Sequence, residues 1–135
     1  MNTDRLQPVF DRAPFIRLLG YRLVGSGEGW VETELDVEEH HLQQHGYVHA
    51  GVISTMADHT AGGAASTVID PGHSVLTAQL SLHLLRAARG STLRCRGEVV
   101  KPGRTLVVTR ADVHCDGVHV GLFHATMAVV EGEIG

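Results

Sequence analysis

The chain has 135 residues, 43% of them hydrophobic and 19% charged, which suits a folded chain with a real core and excludes a disordered one. A formal charge of −4 with histidine neutral argues against general nucleic-acid binding, which needs a basic footprint. The only cysteines, Cys95 and Cys115, make neither a disulfide framework nor a CxxC site, and both read as reduced core residues.

The first residues, Met1-Asn2-Thr3-Asp4-Arg5, lack the apolar stretch of a signal peptide, and no apolar run approaches the roughly 20 residues that span a bilayer. A single domain over 1–135 in the cytoplasm, with no membrane partner, is expected. Pro14 to Gly20 reads as a short helix, with proline in its first turn and glycine at its C-cap. Tyr21 to Val24 and Trp30 to Val37 read as strands joined by a glycine-rich turn at 25–29. In the second strand Val31, Thr33, Leu35 and Val37 alternate with Glu32, Glu34 and Asp36, which leaves one face wet.

A polar, histidine-rich loop over 38–47 leads into a long helix from about 49 to 68, closed by Asp70-Pro71-Gly72. Strands follow. Leu76, Ala78, Leu80, Leu82 and Leu84 alternate with Thr77, Gln79, Ser81 and His83, which predicts one apolar face. Residues 91–101, 104–115 and 118–130 read as further strands, with turns at Pro102-Gly103 and Asp116-Gly117. One long helix against a largely antiparallel sheet is an α+β layout.

At 100° per residue, Val52, Ile53, Met56, Thr60, Gly63 and Ala64 fall on one stripe of the long helix, its expected core face. Gly51, Ser54, Thr55, Asp58, Ala61, Gly62 and Ala65 fall on the other side. That second face is small and nearly uncharged, as suits a seam with a second subunit. Asp58 is the exception: aspartate is a poor mid-helix residue, and a carboxylate among small apolar residues is costly unless it is used or paired.

The segment Gln43 to Ala65, with His49-Ala50-Gly51 opening the helix and Asp58 two turns on, resembles the hotdog-fold acyl-CoA thioesterases of the phenylacetate-pathway (PaaI-like) type. The resemblance extends to the Leu19-Gly20 helix end, the Lys101-Pro102-Gly103-Arg104-Thr105 turn and the final hairpin through Asp116-Gly117. It implies a hotdog fold, a largely antiparallel sheet wrapped around one long central helix. In that family a His-Gly-Gly start is followed by the acid, and an Asn or Gln lies upstream. Three positions depart from the pattern: Ala50 replaces the first glycine, Gln43 stands where Asn is usual, and Leu84-Leu85-Arg86-Ala87 lacks an Arg-Pro pair.

The free N–H groups of a helix start and its positive dipole end suit an oxyanion hole, which puts Ala50 and Gly51 at a thioester carbonyl. Asp58 lies about 10 Å further along the helix, too far for a carbonyl bound at the start of its own helix. A site shared with the antiparallel helix of a partner brings it within reach, so a homodimer is expected, assembled as a tetramer of two dimers. Asp58 then acts as general base or as nucleophile, which the residues do not separate. By the resemblance, Gln43 supplies the amide and Thr77 the hydroxyl that positions the nucleophile or water. His49 is either a substrate-orienting group or a helix cap. Arg86, Arg89 and Arg104 are candidates for the phosphates of coenzyme A, which enters as part of the substrate. No cofactor and no metal are expected, since the spacing of His40, His41, His45 and His59 forms no recognised ligand set.

The leading expectation is therefore an acyl-CoA thioesterase, with the acyl group open and an aryl-acetyl group among the candidates. The alternative is a hotdog domain that binds acyl-CoA without hydrolysing it. An acyl-CoA-sensing repressor would need a DNA-binding segment ahead of the first helix, and a hydratase would need an Asp/His motif that 36–49 lacks.

Overall fold

The computed structural model describes residues 6–132; residues 1–5, read above for a leader segment, and 133–135 lie outside the described residues. Two short helices, α1 (Leu6–Asp11) and α2 (Pro14–Leu19), precede the hairpin of β1 (Arg22–Gly27) and β2 (Trp30–Asp36). A loop with one 3₁₀ turn at Glu39–His41 leads to α3 (Ala50–Ser66). Four strands complete the chain: β3 (His73–Leu84), β4 (Thr92–Lys101), β5 (Leu106–Cys115) and β6 (Val118–Glu131). They form one antiparallel six-stranded sheet in the order β1-β2-β4-β5-β6-β3, with α3 packed across its inner face. This is the expected α+β hotdog layout.

Helix α2 ends as its sequence predicts, with Gly20 in the left-handed region donating back to the Ile16 carbonyl. Helix α1 was not anticipated. Its six residues bury Leu6 and Phe10 against the core, so tertiary packing holds a segment too short to be stable alone. The first turn is also tighter than expected. Gly27 pairs with Trp30, so only Glu28 and Gly29 form the loop, and Gly29 takes φ +80°. Gly25 and Gly27 stay in β1 because the Trp30 indole lies across them; a Cβ on Gly27 would run into its ring nitrogen.

The inner face of the sheet supplies most of the core, with Val31, Leu35, Leu93, Val107, Phe123 and Met127 fully buried. Cys95 and Cys115 are buried, free thiols on that face, and burial pushes the Cys95 thiol up to about 12. Two sequence expectations fail on contact with this geometry. First, Ala61 and Ala65 are fully buried in the chain's own core and do not belong to an outer seam of α3. Gly97 on β4 carries no side chain, so the strand comes close enough that a Cβ there would sit 2.9 Å from the Thr60 and Ala61 backbone. The sheet therefore covers more of the helix circumference than a flat surface would, and the accessible stripe narrows to Gly51, Ser54, Thr55, Asp58, His59, Gly62 and Ser66.

Second, the leucines of β3 do not share one face. Thr77 pairs with Met127 and Gln79 with Thr126, so Ala78 is an extra, bulged residue. The register flips there. Leu80, Leu82 and Leu84 oppose the inward residues Ala125, Phe123 and Gly121, whereas Leu76 opposes Ala128 on the outer face. Thr77, expected on the polar face, turns toward α3.

Candidate active site

Asp58 lies on the accessible stripe of α3, and the bulge aims Thr77 at it. The Thr77 hydroxyl donates to Asp58 Oδ1 at 2.7 Å. That bond fixes the carboxylate rotamer, and Oδ2 forms no bond among the described residues. The pair opens onto a cleft of about 430 Å³ between α3 and β3, whose walls include Val9, His59, Gly62 and Leu76. A carboxylate with one oxygen oriented and the other facing a cleft is arranged to take a proton from water, or to attack a carbon.

His59, which the sequence presented only as one of many histidines, turns out to wall this cleft. Its Nε2 lies 3.1 Å from the Val9 carbonyl, which can only accept, so Nε2 carries the hydrogen. Its ring meets Phe10 edge-on at 4.7 Å. Burial pushes its pKa below the ordinary value, opposed in part by the Val9 bond and the Asp58 charge. His59 is therefore neutral beside Asp58 at neutral pH. The signal for it was its place next to Asp58 on the same stripe.

The second group of expected residues gathers at the start of α3. His49 is the N-cap, and its Nδ1 accepts the Gly51 N–H at 2.8 Å. Capping settles part of its role and also occupies one of the two expected oxyanion donors: a ligand oxygen reaches the Gly51 N–H only by displacing the imidazole. The Ala50 N–H has no acceptor among the described residues. Ala50 has regular helical geometry, so its Cβ introduces no strain where relatives of the motif carry glycine. Gln43 is held by its carbonyl end, since Oε1 accepts from the Tyr47 N–H at 3.3 Å and from the His45 N–H. Both partners are donors, which assigns the oxygen and leaves the NH₂ end for a ligand. Gln43, His49 and Ala50 line a cleft of about 520 Å³ with Tyr47, Leu84 and Arg86.

The loop that carries Gln43 is fastened by His41, a buried residue to which the sequence gave no role. Its Nδ1 accepts the Glu38 N–H at 2.9 Å, so Nε2 donates, and it reaches the Leu19 carbonyl at 2.7 Å. The start of α3 is tied from the other side by the Tyr21 hydroxyl, which donates to the Val52 carbonyl at 2.6 Å; burial raises the Tyr21 pKa further.

The clefts at the helix start and at Asp58 have no lining residue in common. Asp58 stands seven residues beyond Gly51, about 10 Å along the axis. The three arginines also divide. Arg86 lies at the cleft of the helix start and donates to the His119 carbonyl at 3.0 Å, and Arg89 stacks over Tyr47 at 5.6 Å. Arg104 is at the other end of α3, in a separate cleft with Asp70 and His73. One chain does not bring all three to one phosphate site.

Comparison with known proteins identifies the family and the fold. A model of the Thioesterase superfamily matches residues 45–122, which hold Asp58, Thr77 and the helix start. The crystal structure of a thioesterase family protein from Silicibacter pomeroyi superposes with a TM-score of 0.93 at 33% identity, covering 97% of this chain and 100% of that one. A hypothetical thioesterase from Streptococcus pneumoniae, solved with coenzyme A, superposes with a TM-score of 0.76 at 26% identity over 85% of this chain and 92% of its own. Among curated relatives, a putative esterase of Haemophilus influenzae is 26% identical over 98 residues, 73% of this chain and 71% of the relative. No helix among the described residues is long and apolar enough to cross a membrane.

Proposed function

The chain belongs to the Thioesterase superfamily and is a thioester hydrolase, and we propose that its substrate is an acyl-CoA, hydrolysed with Asp58 as general base at a site shared by two copies of the chain. The observation that carries this reading is the Thr77–Asp58 bond at 2.7 Å, which orients the carboxylate beside a cleft large enough for an acyl group. A thioester carbonyl lies at the start of the partner subunit's α3, where a helix N–H (Ala50) and an amide NH₂ (Gln43) donate hydrogen bonds to the oxygen as its negative charge develops. Water attacks the carbonyl carbon and passes a proton to Asp58 Oδ2. The tetrahedral intermediate then collapses, the carbon–sulfur bond breaks, and the thiolate of coenzyme A leaves with that proton.

Coenzyme A is supported by its presence in the Streptococcus pneumoniae structure and by Arg86 and Arg89 at the rim of the helix-start cleft. A homodimer is supported by the two separate clefts, each holding half of what the reaction needs. Strand β3 is an edge strand, exposed along most of its length, and a second copy would complete the site there. A tetramer of two such dimers is the expected assembly. The motif of His49, Asp58 and Gln43 supports the PaaI-like subgroup and its aryl-acetyl substrates.

Asp58→Asn tests the reading. It preserves shape and the bond to Thr77 while removing the base, and is expected to lower kcat for acyl-CoA hydrolysis by at least about 100-fold. A variant with native circular dichroism and wild-type kcat would overturn the assignment.

A further inference from the structure

The helix α3 carries adjacent glycines with different surroundings. Gly63 faces the core, where a Cβ would touch Val31 and Leu6 at 3.5 and 3.6 Å. Gly62 is part exposed on the Asp58 cleft, one turn beyond the carboxylate. A Cβ on Gly62 would meet nothing closer than Met127 at 4.0 Å, and its φ is not positive. The chain's own packing thus leaves room for a side chain, and glycine in a helix interior is destabilising relative to alanine. The bare position is explained by something that passes over it.

We infer that Gly62 sets the acyl specificity of the enzyme: the distal part of an acyl group larger than acetyl lies along α3 over this residue, between Asp58 and Ser66. This rests on the acyl-CoA hydrolase reading above. Those residues are eight apart, a path of about 12 Å. Val9 and Val75 give the cleft apolar walls beside Gly62; Asp58 and Thr77 stand at one end, and Ser66, His73 and Ser74 at the other, where the Ser74 hydroxyl donates to the Gly132 carbonyl at 2.7 Å. Ser66 adds little polarity at the far end, because its hydroxyl donates to the Gly62 carbonyl at 2.9 Å. A group whose reacting carbon sits at Asp58 and whose apolar part lies over Gly62 between Val9 and Val75 fits this arrangement; phenylacetyl and medium-chain acyl groups are of this class. A two-carbon acyl group ends before reaching Gly62.

The test compares wild type, Gly62→Ala and Gly62→Leu on acetyl-, octanoyl- and phenylacetyl-CoA, with light scattering and thermal melts on each protein. Gly62→Leu is expected to lower kcat/KM for octanoyl- and phenylacetyl-CoA at least about 10-fold more than for acetyl-CoA, and Gly62→Ala to shift the ratio in the same direction by less. Gly62→Ala is also expected to melt a few degrees higher than wild type, which separates a change in selectivity from loss of fold. An equal loss on all three substrates, or a variant that changes oligomeric state without changing the ratio, would show that Gly62 serves assembly and would overturn the inference while leaving the hydrolase reading intact. A wild type that hydrolyses none of the three would overturn that reading and the inference with it.

Discussion

At the start of α3 the cleft presents a backbone N–H and an amide on a loop, whereas the cleft two turns further on presents a carboxylate on a helix, oriented by a hydroxyl from a strand. The first region offers donors and the partial positive charge of a helix end. The second offers an acceptor with a neutral histidine beside it. Thioester hydrolysis needs both, one for the carbonyl oxygen and one for the water, and the rigid length of the helix between them keeps each from serving the other within one chain. A helix that separates complementary halves by two turns favours a second copy laid antiparallel.

The sharpest way to break this comparison is to disable each region in a different chain. Asp58→Asn and Gln43→Ala proteins should each be impaired, Gln43→Ala by about 10- to 100-fold and mostly in kcat. Unfolding and refolding them together at equal amounts should recover about a quarter of wild-type activity, because half of the dimers are mixed and each of those holds one intact site. No recovery in the mixed sample, with mixed dimers confirmed by native mass spectrometry, would place both halves of the site in one chain. A smaller effect is expected within the Asp58 region. Thr77→Ala should lower kcat by about 10-fold with KM little changed, and Thr77→Ser should restore most of it, since only the hydroxyl is used. Steady-state kinetics that show a change in KM alone would make Thr77 a substrate contact and not a group that orients the base.

The smallest expected effect is on stability. Burial lowers the pKa of His59 in the folded chain. Between that lowered value and the ordinary one near 6.5 the unfolded chain binds more protons, so stability is intact above about pH 6.5 and falls as pH drops below it. Melting temperatures measured from pH 7.5 to 5.5 should decline, and His59→Phe should reduce the slope. An unchanged slope would show that another group governs that range.

The helix start, the out-of-place acid and the succession of elements along the chain were legible in the sequence because each rests on local signals: periodicity, a carboxylate out of place, turn residues. The sheet order was not, since β3 pairs with β6 and not with the next strand in the chain. The orientation of Thr77 was not. It depends on Ala78 standing outside the ladder, and an alanine in an alternating run carries no mark of a bulge. The burial of Ala61 and Ala65 was hidden for a related reason. How far a sheet wraps a helix depends on Gly97, thirty-six positions from Ala61, and helical projection sees only the helix. Helix α1 escaped because its six residues are held by packing and not by propensity. Gln43 was singled out by its place in the chain, but the two N–H groups that hold its Oε1 come from the folded loop.

His41 has a consequence for the start of the chain. Its imidazole spends both nitrogens inside the protein, one on the loop that bears Gln43 and the other on the last turn of α2. The amide at the helix start is thereby anchored to residues ahead of the first strand. Loss of that anchor would leave a buried nitrogen unsatisfied, worth roughly 1–3 kcal/mol, at the root of the loop. Sequence drift in α2, which lines neither cleft, would then be felt as slower turnover, at a distance from the chemistry it disturbs.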